Sequence, residues 1–579
     1  MFSVPQSLKF RGQVVSQGVA RGRLLVVRAV DVLGLVEERR VGDVEGELER
    51  LSRAGSLVRE RLEELKRVLP AAEREIVDAQ LLMLESLVAE AGELVKSSSL
   101  SAEYAVKSVY EKYAEMLKSG SELFALRVQD LRDLASRLVS VLTGGKTAGG
   151  GYSGRIAVAE ELDPIQFLEA AEEGLAGLVT RKGGLTAHVS ILARLKGVPY
   201  MISGELDLGL VRDGDEAVLD CVNGVLLVNP TAEEEERYGA LAEEYNRMLA
   251  LFSKEEGLEP VTLDGRRVDV LCNAGGLEEV RAAPGYGCGG IGLFRIEFAY
   301  MVRQEAPGEE ELYGLFKKSL EVLGGRPLTV RAPDIGGDKP VNFLELPKEA
   351  NPQLGLRGTR LLLEYRDKLL RPLLRAALRA AVHGDLRLMF PMVSTVEEVE
   401  ELSEEVRRAE EELRSEGFEA RVPRLGVMVE VPSAALLSRE LVEKGGLSFV
   451  SFGTNDLTQY VLAADRGSAH VGKVYDELNP AVLRLIAYAV DKLGGRAEVE
   501  VCGEMASRTL AVPALLGLGV QGLSVAPVFV GRVKYVVRRI DLEEASREVR
   551  EVVESASTSR EVRAWARSYL ERRGIRVFE

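Results

Sequence analysis

The second half of this chain contains eight short apolar runs, and helical segments separate most of them. Runs that are apolar throughout are typical of strands buried on both faces. Eight such strands alternating with helices over roughly 310 residues predict a (β/α)8 barrel, with a doubly wound open sheet as the structural alternative. The runs are VDVLCN (268–273), GIGLFR (290–295), LTVRA (328–332), LRLMFPM (386–392), RLGVMVE (424–430), LSFVSFG (447–453), VEVCG (499–503) and GLSVAP (522–527).

Charged and polar residues follow these runs, where a barrel of this type carries its chemistry. Arginines supply bidentate donors for phosphate and carboxylate groups. Two carboxylates on different strands, Glu430 and Asp456, suit Mg²⁺. The strand ends therefore predict a site for a small phosphorylated carboxylic acid with a metal. The candidates are Asn273, Arg295, Glu297, Arg331, Asp334, Lys339, Met392, Glu430, Asn455, Asp456, Cys502, Glu504 and Ser524, with Arg357 and Arg466 from loops.

A second candidate site surrounds His188, in GGLTAHVSILARLKGVP (183–199). Two glycines precede a predicted helix start, where unpaired N–H groups and the positive end of the helix dipole favour an anion. The pattern predicts a histidine that carries phosphate, and the alternative is a histidine that only satisfies a helix start. The other two histidines, His383 and His470, have no comparable setting.

The sequence predicts a multidomain α/β protein. Short strands in 1–30 and small α/β elements in 145–230 are expected to share one sheet. Four amphipathic helices in 31–144 are inserted between them, since apolar residues recur there at helical spacing. A charged helix in 231–260 leads to the barrel in 261–579.

Composition excludes several classes of protein. Lys plus Arg number 75 and Asp plus Glu number 91, a net charge of −16, which argues against nucleic-acid or anionic-membrane binding. The start has no signal-peptide pattern and no apolar run reaches ~18 residues, so cytoplasm without membrane insertion is expected. The four cysteines are far apart and include no C-x-x-C, so neither a zinc site nor a disulfide scaffold is predicted.

The segment around His188 resembles the phosphohistidine segment of enzymes that use phosphoenolpyruvate (PEP): Enzyme I of the bacterial sugar phosphotransferase system, PEP synthase and pyruvate phosphate dikinase. Their pattern is GG-x-TSH-x-x-I-x-AR, and Ala187 replaces the serine here. The second half resembles the PEP-binding barrel of Enzyme I throughout. Nine segments follow its order: GIGLFRIEFAYM, TVRAPDIGGDKP, NPQLGLRGTRLLLE, LRAALRAAVHG, MFPMVS, GVMVEVPSAAL, SFGTNDLTQYVLAADRG, NPAVLRLI and CGEMASR.

The N-terminal part separates these enzymes. PEP synthase and pyruvate phosphate dikinase need a large ATP-binding region before the phosphohistidine segment, and the roughly 180 residues present here are too few for it. The helical block instead resembles the subdomain of Enzyme I that docks the small phosphocarrier protein HPr, in AEYAVKSVYEKYA and RVQDLRDLASRL. The implied fold is a swivelling phosphohistidine α/β domain with an inserted helical subdomain, followed by a TIM barrel.

The resemblance also implies a reaction. PEP would phosphorylate His188, pyruvate would leave, and the phosphoryl group would pass to a histidine of HPr in the first step of sugar uptake. It implies a homodimer through the barrel. The implied roles are PEP binding by Arg295, Arg331, Asn455 and Arg466, Mg²⁺ binding by Glu430 and Asp456, and protonation of the enolate by Cys502.

The chain departs from the Enzyme I pattern at four further positions. Ile296, Ser448 and Asn479 replace a threonine, an aspartate and a histidine, and Gln80 replaces a histidine in the docking subdomain. Gln80 bears most on the identity of the carrier. Two alternatives stay open. One is a PEP–pyruvate phosphotransferase served by a separate ATP-binding subunit, and the other is a scaffold that senses PEP without turnover.

Overall fold

The computed structural model divides the chain into two compact units, and the division falls between Arg247 and Met248. It lies within the charged helix α7 (Ala232–Glu255). Of the described helices, none combines the length and the apolar character that a membrane crossing requires. The structure describes residues 7–28, 31–68, 71–117, 122–144, 151–183, 188–301, 305–337, 339, 341, 343–466, 471 and 474–577.

The first unit is built on an eight-stranded sheet in the order β1-β8-β7-β3-β4-β5-β6-β2. Strands from both sides of the helical insertion share this sheet, because β3 pairs in parallel with β4, Leu24 opposite Ile156. The strands are β1 (Leu8–Arg11), β2 (Gln13–Ser16), β3 (Val19–Val27), β4 (Ile156–Ala159), β5 (Gly177–Thr180), β6 (Tyr200–Ile202), β7 (Glu216–Asp220) and β8 (Val225–Val228).

The two edge strands of this sheet, β1 and β2, are consecutive in the chain and separated only by Gly12. Neighbouring residues are ~3.8 Å apart, so the sheet curls until its edges meet at this glycine. The N–H of Gly12 donates to the carbonyl of Gly224 at 3.1 Å. A Cβ here would lie 2.4 Å from the carbonyl oxygen of Ile202, so only glycine fits.

Four long helices lie between β3 and β4 in the chain: α1 (Val44–Val68), α2 (Ala71–Ser98), α3 (Ala102–Leu117) and α4 (Glu122–Leu142). Their apolar faces join the shorter helices α5 (Pro164–Glu172) and α6 (His188–Lys196) in one buried cluster. The cluster removes the apolar stripe of each helix from water, which stabilises an amphipathic helix. The cluster includes Leu51, Leu84, Val106, Leu138, Phe167 and Leu192.

The second unit is a closed barrel of eight parallel strands, which confirms the predicted fold class and excludes the open sheet. The last strand, β16, pairs with the first, β9, so the ring is complete. Each of the eight apolar runs coincides with one strand to within two residues at either end. The strands are β9 (Asp269–Ala274), β10 (Ile291–Arg295), β11 (Leu328–Arg331), β12 (Leu386–Phe390), β13 (Arg424–Val429), β14 (Phe449–Phe452), β15 (Glu498–Val501) and β16 (Gly522–Val525).

Helices follow the strands around the outside of the barrel. Two of them begin with capping boxes, at Thr395 and Thr558, which satisfy backbone N–H groups that a helix start leaves free. They are α8 (Leu277–Ala282), α9 (Phe298–Met301), α10 (Glu309–Leu323), α11 (Thr359–Glu364), α12 (Arg371–Ala380), α13 (Val396–Ser415), α14 (Pro432–Leu436), α15 (Ser438–Gly445), α16 (Thr454–Leu462), α17 (Pro480–Leu493), α18 (Val512–Gly517), α19 (Val530–Val537), α20 (Leu542–Ser555) and α21 (Ser559–Glu571).

The inside of the barrel is filled by side chains from neighbouring strands. Five of them form a separate buried cluster, one each from β10, β12, β13 and β14 and one that directly follows β15. A Cβ at Gly426 would lie 2.5 Å from the ring of Phe449, so the glycine makes room for the ring. The cluster is Leu293, Met389, Met428, Phe449 and Cys502.

Cys272 and Cys288 form a disulfide, a single bond that the cysteine pattern did not predict. Cys272 lies in β9, opposite Ile291 of β10, and Cys288 lies three residues before that partner. The pairing of β9 with β10 therefore brings the two cysteines together. Cysteine spacing alone does not contain this information.

The packing of the barrel helices predicts opposite effects on stability when alanine replaces two different glycines. A Cβ at Gly517, at the end of α18, would lie 2.7 Å from the carbonyl oxygen of Ala545 in α20, whereas Gly314 in α10 has nothing within 4 Å. Gly517→Ala should therefore lower the free energy of unfolding by about 1–3 kcal/mol through overpacking. Gly314→Ala should raise it by about 0.5–1 kcal/mol through helix propensity. Calorimetric unfolding of the barrel transition measures both, and equal shifts would contradict the tight α18–α20 contact.

Candidate active site

The predicted barrel residues lie at the carboxyl ends of their strands. Arg295 ends β10 and Arg331 ends β11, while Glu430 and Cys502 directly follow β13 and β15. Asn455 and Asp456 occupy the first turn of α16, which follows β14, and Arg466 lies in the loop after α16. Because all eight strands are parallel in one ring, these ends share one mouth. The structure therefore brings these seven predicted residues to one end of the barrel.

His188 belongs to the other unit, where it is the first residue of α6. Its side chain, residues 184–187 and the whole of His470 lie outside the described part of the chain. The third histidine, His383, is exposed, and its Nε2 is 2.9 Å from the hydroxyl of Tyr313. The helix start predicted at His188 is present.

The mouth is organised around a buried ion pair between Asp334 and Arg357, each with about 1% of its side chain exposed. Arg357 donates from Nε to Oδ1 and from Nη2 to Oδ2, both at 2.9 Å. Lys339 Nζ also donates to Oδ2 of Asp334 at 2.9 Å. Both oxygens of Asp334 are therefore occupied by protein donors.

Burial opposes ionisation of Asp334, but the charges of Arg331, Lys339 and Arg357 outweigh it. They hold the pKa of this carboxyl well below its usual range. Asp334 is therefore an ionised partner that fixes the arginines in place.

Arg331 is held by Glu297, which the sequence also placed at a strand end. Nη2 of Arg331 donates to Oε1 of Glu297 at 2.5 Å, and the same oxygen accepts from the N–H of Asp334 at 3.0 Å. Nε of Arg331 is buried and has no hydrogen-bond partner in the described part of the chain. One side of the guanidinium is thus anchored, and a donor remains for an anionic ligand.

Glu430 and Asp456 form the second acidic feature. Glu430 is 1% exposed; its Oε1 accepts from the N–H of Met392 at 2.7 Å, while Oε2 has no partner among the described residues. Burial, reinforced by the charges of Asp456 and Asp334, raises the pKa of Glu430 to about 8. A buried carboxylate that has an unsatisfied oxygen and lies near a second carboxylate would be stabilised by a bound cation.

Asp456 has one oxygen bound to an arginine and one without a hydrogen bond to any described residue. Its Oδ1 lies 3.3 Å from Nη1 of Arg357, and its Oδ2 lies 3.9 Å from Nη1 of Arg466, beyond hydrogen-bond distance. Within the described ranges no group of three or more His, Cys, Asp or Glu side chains could hold a metal ion. The set that fits a cation is thus a carboxylate pair, Glu430 with Asp456, which suits Mg²⁺ because this ion keeps substrate oxygens and water as its other ligands.

Met392 has a left-handed backbone, with φ of 56°. This conformation costs about 1–2 kcal/mol in a residue that carries a side chain, and such strain clusters at functional sites. Here it directs the Met392 N–H at Glu430, 2.7 Å away. The sequence placed Met392 at a strand end but gave no sign of this conformation.

Asn455 is held from two sides. Its Oδ1 accepts from the N–H of Glu504 at 3.0 Å, and its carbonyl oxygen accepts from the hydroxyl of Tyr475 at 3.1 Å. The Cys502 thiol is 4% exposed, and burial raises its pKa to about 12. The thiol therefore keeps its proton at physiological pH, as a proton donor must.

Sequence reasoning missed Tyr460, Tyr475 and Gln353, which also bind residues at this mouth. Tyr460 donates to the carbonyl oxygen of Gln353 at 2.5 Å and lies 3.3 Å from Nη1 of Arg357. The side chain of Gln353 also accepts from Arg357. Tyr460 ends the TNDLTQY segment, but nothing in the sequence linked it to Gln353, 107 positions away.

Family models match three consecutive regions of the chain. They are a PEP-utilising enzyme N-terminal region (residues 11–127), a mobile domain (151–224) and a PEP-binding domain (250–542). The chain belongs to the PEP-utilising enzymes. The PEP-binding domain of this family coincides with the barrel whose mouth holds the arginines and carboxylates.

Curated relatives narrow the assignment within this family. The chain is 35% identical to the phosphoenolpyruvate-protein phosphotransferase of Haemophilus influenzae, over 92% of this chain and 94% of that protein. It is 34% identical to that of Geobacillus stearothermophilus (95% and 96%) and 32% identical to that of Bacillus subtilis (96% and 99%). The predicted resemblance to Enzyme I is confirmed, and this PEP-utilising enzyme is a phosphotransferase.

The buried ion pair predicts a large effect of one substitution. Asp334→Asn should lower the free energy of unfolding by about 3–5 kcal/mol, because Arg357 then keeps a buried charge without its bidentate partner. The pKa of Asp334 is lowered in the folded state, so the stability from its ionised form is present above the unfolded-state pKa of ~3.9 and is lost as the pH falls below it. Urea unfolding should thus show a full difference at pH 7 that narrows below about pH 4.

The matched control is Asp367→Asn. The side chain of Asp367 is 95% exposed and lies 3.8 Å from Arg371. Its loss should change the free energy of unfolding by no more than ~0.5 kcal/mol. Similar effects of the two substitutions would contradict the central role of the Asp334–Arg357 pair.

Proposed function

We propose that this enzyme transfers the phosphoryl group of PEP to His188 and then to a histidine of a small HPr-like phosphocarrier protein, with release of pyruvate, as the first step of sugar uptake. The observation that carries the proposal is the meeting of Arg331, Glu430, Asp456 and Cys502 at one barrel mouth. The relatives named phosphoenolpyruvate-protein phosphotransferase support it.

Arginines bind PEP in this proposal. Arg331, whose Nε has no partner among the described residues, and Arg295, exposed at the end of β10, face the phosphate and carboxylate of PEP together with Arg466 and Asn455. Positive charge placed around the phosphoryl group stabilises its transfer, because negative charge is spread over its oxygens in the transition state. Glu297 keeps Arg331 in place through the bond to Nη2.

Glu430 and Asp456 would hold the magnesium ion. The open oxygens, Oε2 of Glu430 and Oδ2 of Asp456, are the donors that fit it. When bound, the ion supplies charge neutralisation at the oxygens of PEP. Met392 positions Glu430 for this role, since its N–H occupies the other carboxylate oxygen.

Cys502 supplies the proton. As the phosphoryl group leaves the enol oxygen, the methylene carbon of the enolate takes the thiol proton, which breaks the S–H bond and forms the methyl group of pyruvate. Burial keeps the thiol protonated beforehand. A positioned acid of this kind is worth roughly 10²–10⁴ in rate.

The proposal assigns a role to each part of the chain. Residues 1–30 with 145–230 carry His188, and the helices in 31–144 dock the carrier. The region 231–260 is the linker helix, and the phosphohistidine domain swivels about residues 145–155 and 228–260. The region 261–579 binds PEP and forms a homodimer in the cytoplasm. The carrier is proposed to be a small HPr-like phosphocarrier protein, and Gln80, where Enzyme I usually has histidine, is the position that bears most on its identity.

His188→Ala should abolish phosphorylation of the enzyme by PEP, because the imidazole is the proposed acceptor of the phosphoryl group. The test incubates the enzyme with PEP labelled in its phosphoryl group and with Mg²⁺, and then measures acid-labile, base-stable label on the protein. Excess EDTA should also prevent labelling, because the carboxylate pair then lacks its cation. His383→Ala, at an exposed histidine, is the control and should keep full labelling. Undiminished label in His188→Ala would reject the assignment.

Cys502→Ala and Cys502→Ser should each slow pyruvate formation by about 10²–10⁴, since neither retains an acid of comparable strength. PEP binding should change little, because the proton is needed only in the transition state. The measurement is the rate of pyruvate formation at saturating PEP. Cys221→Ala replaces another buried free cysteine, in the first unit, and should keep the normal rate. Near-normal rates in both Cys502 variants would assign the proton to another donor.

A further inference from the structure

Two loops meet beside Asn455 at the barrel mouth. One comprises residues 463–479, between α16 and α17, and the other comprises residues 502–511, between β15 and α18. The hydroxyl of Tyr475, in the first loop, donates to the carbonyl oxygen of Asn455 at 3.1 Å. The N–H of Glu504, in the second loop, donates to Oδ1 of Asn455 at 3.0 Å. The position of Asn455 therefore depends on both loops.

The 502–511 loop lies directly against the start of α16. A Cβ at Gly503 would lie 2.0 Å from Oγ1 of Thr454, so a side chain at this position would not fit. Thr454 directly precedes Asn455, and Gly503 directly follows Cys502. Because this contact is so close, a displacement of the loop is transmitted to Asn455.

An ion pair joins the two loops to each other. Nε of Arg508, in the 502–511 loop, lies 2.8 Å from Oε2 of Glu477, in the 463–479 loop. The contact is an ion pair rather than an aligned hydrogen bond. The side chain of Glu477 is only 4% exposed, whereas that of Arg508 is 45% exposed. With the two hydrogen bonds to Asn455, the pair completes a ring of contacts between both loops and the start of α16.

Glu477 is not needed merely to attach its loop to the barrel. Its neighbour Asp476 already does so, because Nη2 of Arg563 on α21 donates to Oδ1 of Asp476 at 2.7 Å. A buried ion pair also adds little to net stability, because the loss of hydration offsets the attraction between the charges. What the Glu477–Arg508 pair does fix is the position of one loop relative to the other.

We propose that Glu477 and Arg508 position Asn455 for PEP binding by holding the two loops together. This inference rests on the proposed role of Asn455 in binding PEP. Glu477 and Arg508 are positioning residues. They act through Tyr475 and Glu504, which bind Asn455 from the two loops.

The ion pair gives this role a dependence on pH. Burial raises the pKa of Glu477 to about 7; Arg508 opposes the rise, while the charges of Glu504 and Asp476 add to it. Burial also raises the pKa of Tyr475, whose hydroxyl therefore stays neutral. Glu477 is thus ionised and paired with Arg508 above about pH 7. Below that pH the carboxyl group takes up a proton, and the attraction to Arg508 is lost.

The test measures PEP affinity by titration calorimetry at pH 8 with Mg²⁺, in protein that carries His188→Ala so that PEP is bound but not consumed. Glu477→Gln and Arg508→Gln should each raise the dissociation constant about tenfold, roughly the loss of one hydrogen bond to a charged ligand. The two substitutions together should raise it no further than either alone, since both break the same pair. Calorimetry reports the number of binding molecules separately, so partial misfolding of a variant does not mimic the effect.

The matched control is Asp491→Asn on α17, which breaks an ion pair with Arg550 whose atoms are 2.8 Å apart. It should leave the dissociation constant unchanged. A second comparison repeats Glu477→Gln at pH 6, where most of the difference from the parent should disappear because Glu477 itself is then uncharged. An unchanged constant at pH 8, or a tenfold difference that persists at pH 6, would overturn the role of the ion pair.

Asn455→Ala tests whether Glu477 acts through Asn455. This substitution should itself weaken PEP binding, and Glu477→Gln added to it should have little further effect. A full tenfold effect of Glu477→Gln in the absence of the Asn455 side chain would overturn the positioning role. Unchanged binding in Asn455→Ala would remove Asn455 from the PEP site, and the inference with it.

Failure of the proposed function gives a different result. No binding of PEP by the His188→Ala parent would reject the barrel mouth as the PEP site. Normal binding by that parent and weakened binding in Asn455→Ala, with an unchanged constant in Glu477→Gln, would overturn the present inference alone.

Discussion

The barrel mouth depends on one buried guanidinium, that of Arg357. Taking this charge out of water is unfavourable unless every donor finds an acceptor. Arg357 meets the requirement by contacting groups from three segments: Asp334 after β11, Gln353 in the following loop, and Asp456 with Tyr460 on α16. The loops that would hold PEP are therefore fixed to one another before any ligand binds.

The carboxyl groups around Arg357 show how position determines acidity. Asp334 is surrounded by cationic groups and is ionised, whereas Glu430 lies among other carboxylates in a buried place and its pKa is raised. The two groups are chemically alike, and only their neighbours separate them. One is therefore suited to hold the protein together, and the other is suited to a positively charged ligand.

The barrel could be predicted from sequence because its strands are buried on both faces, so each strand is a continuous apolar run. Once the strands were placed, topology brought Arg331, Glu430 and Cys502 together without further information. The remaining features depend on contacts between distant segments. The left-handed backbone of Met392, the Cys272–Cys288 pairing and the bond from Tyr475 to Asn455 leave no local signal. The roles of the site residues and the domain boundaries remain predictions.

The curl of the sheet in the first unit has a consequence for solubility. A sheet normally has two free edges, whose unpaired N–H and C=O groups can recruit strands from other molecules. Here both edge strands, β1 and β2, belong to one short stretch of chain on either side of Gly12, and each is only four residues long, which limits such recruitment. Residues 8–16 therefore satisfy the outer backbone groups of both β8 and β6. Loss of this stretch would expose the edges of these two strands at the same time and favour aggregation.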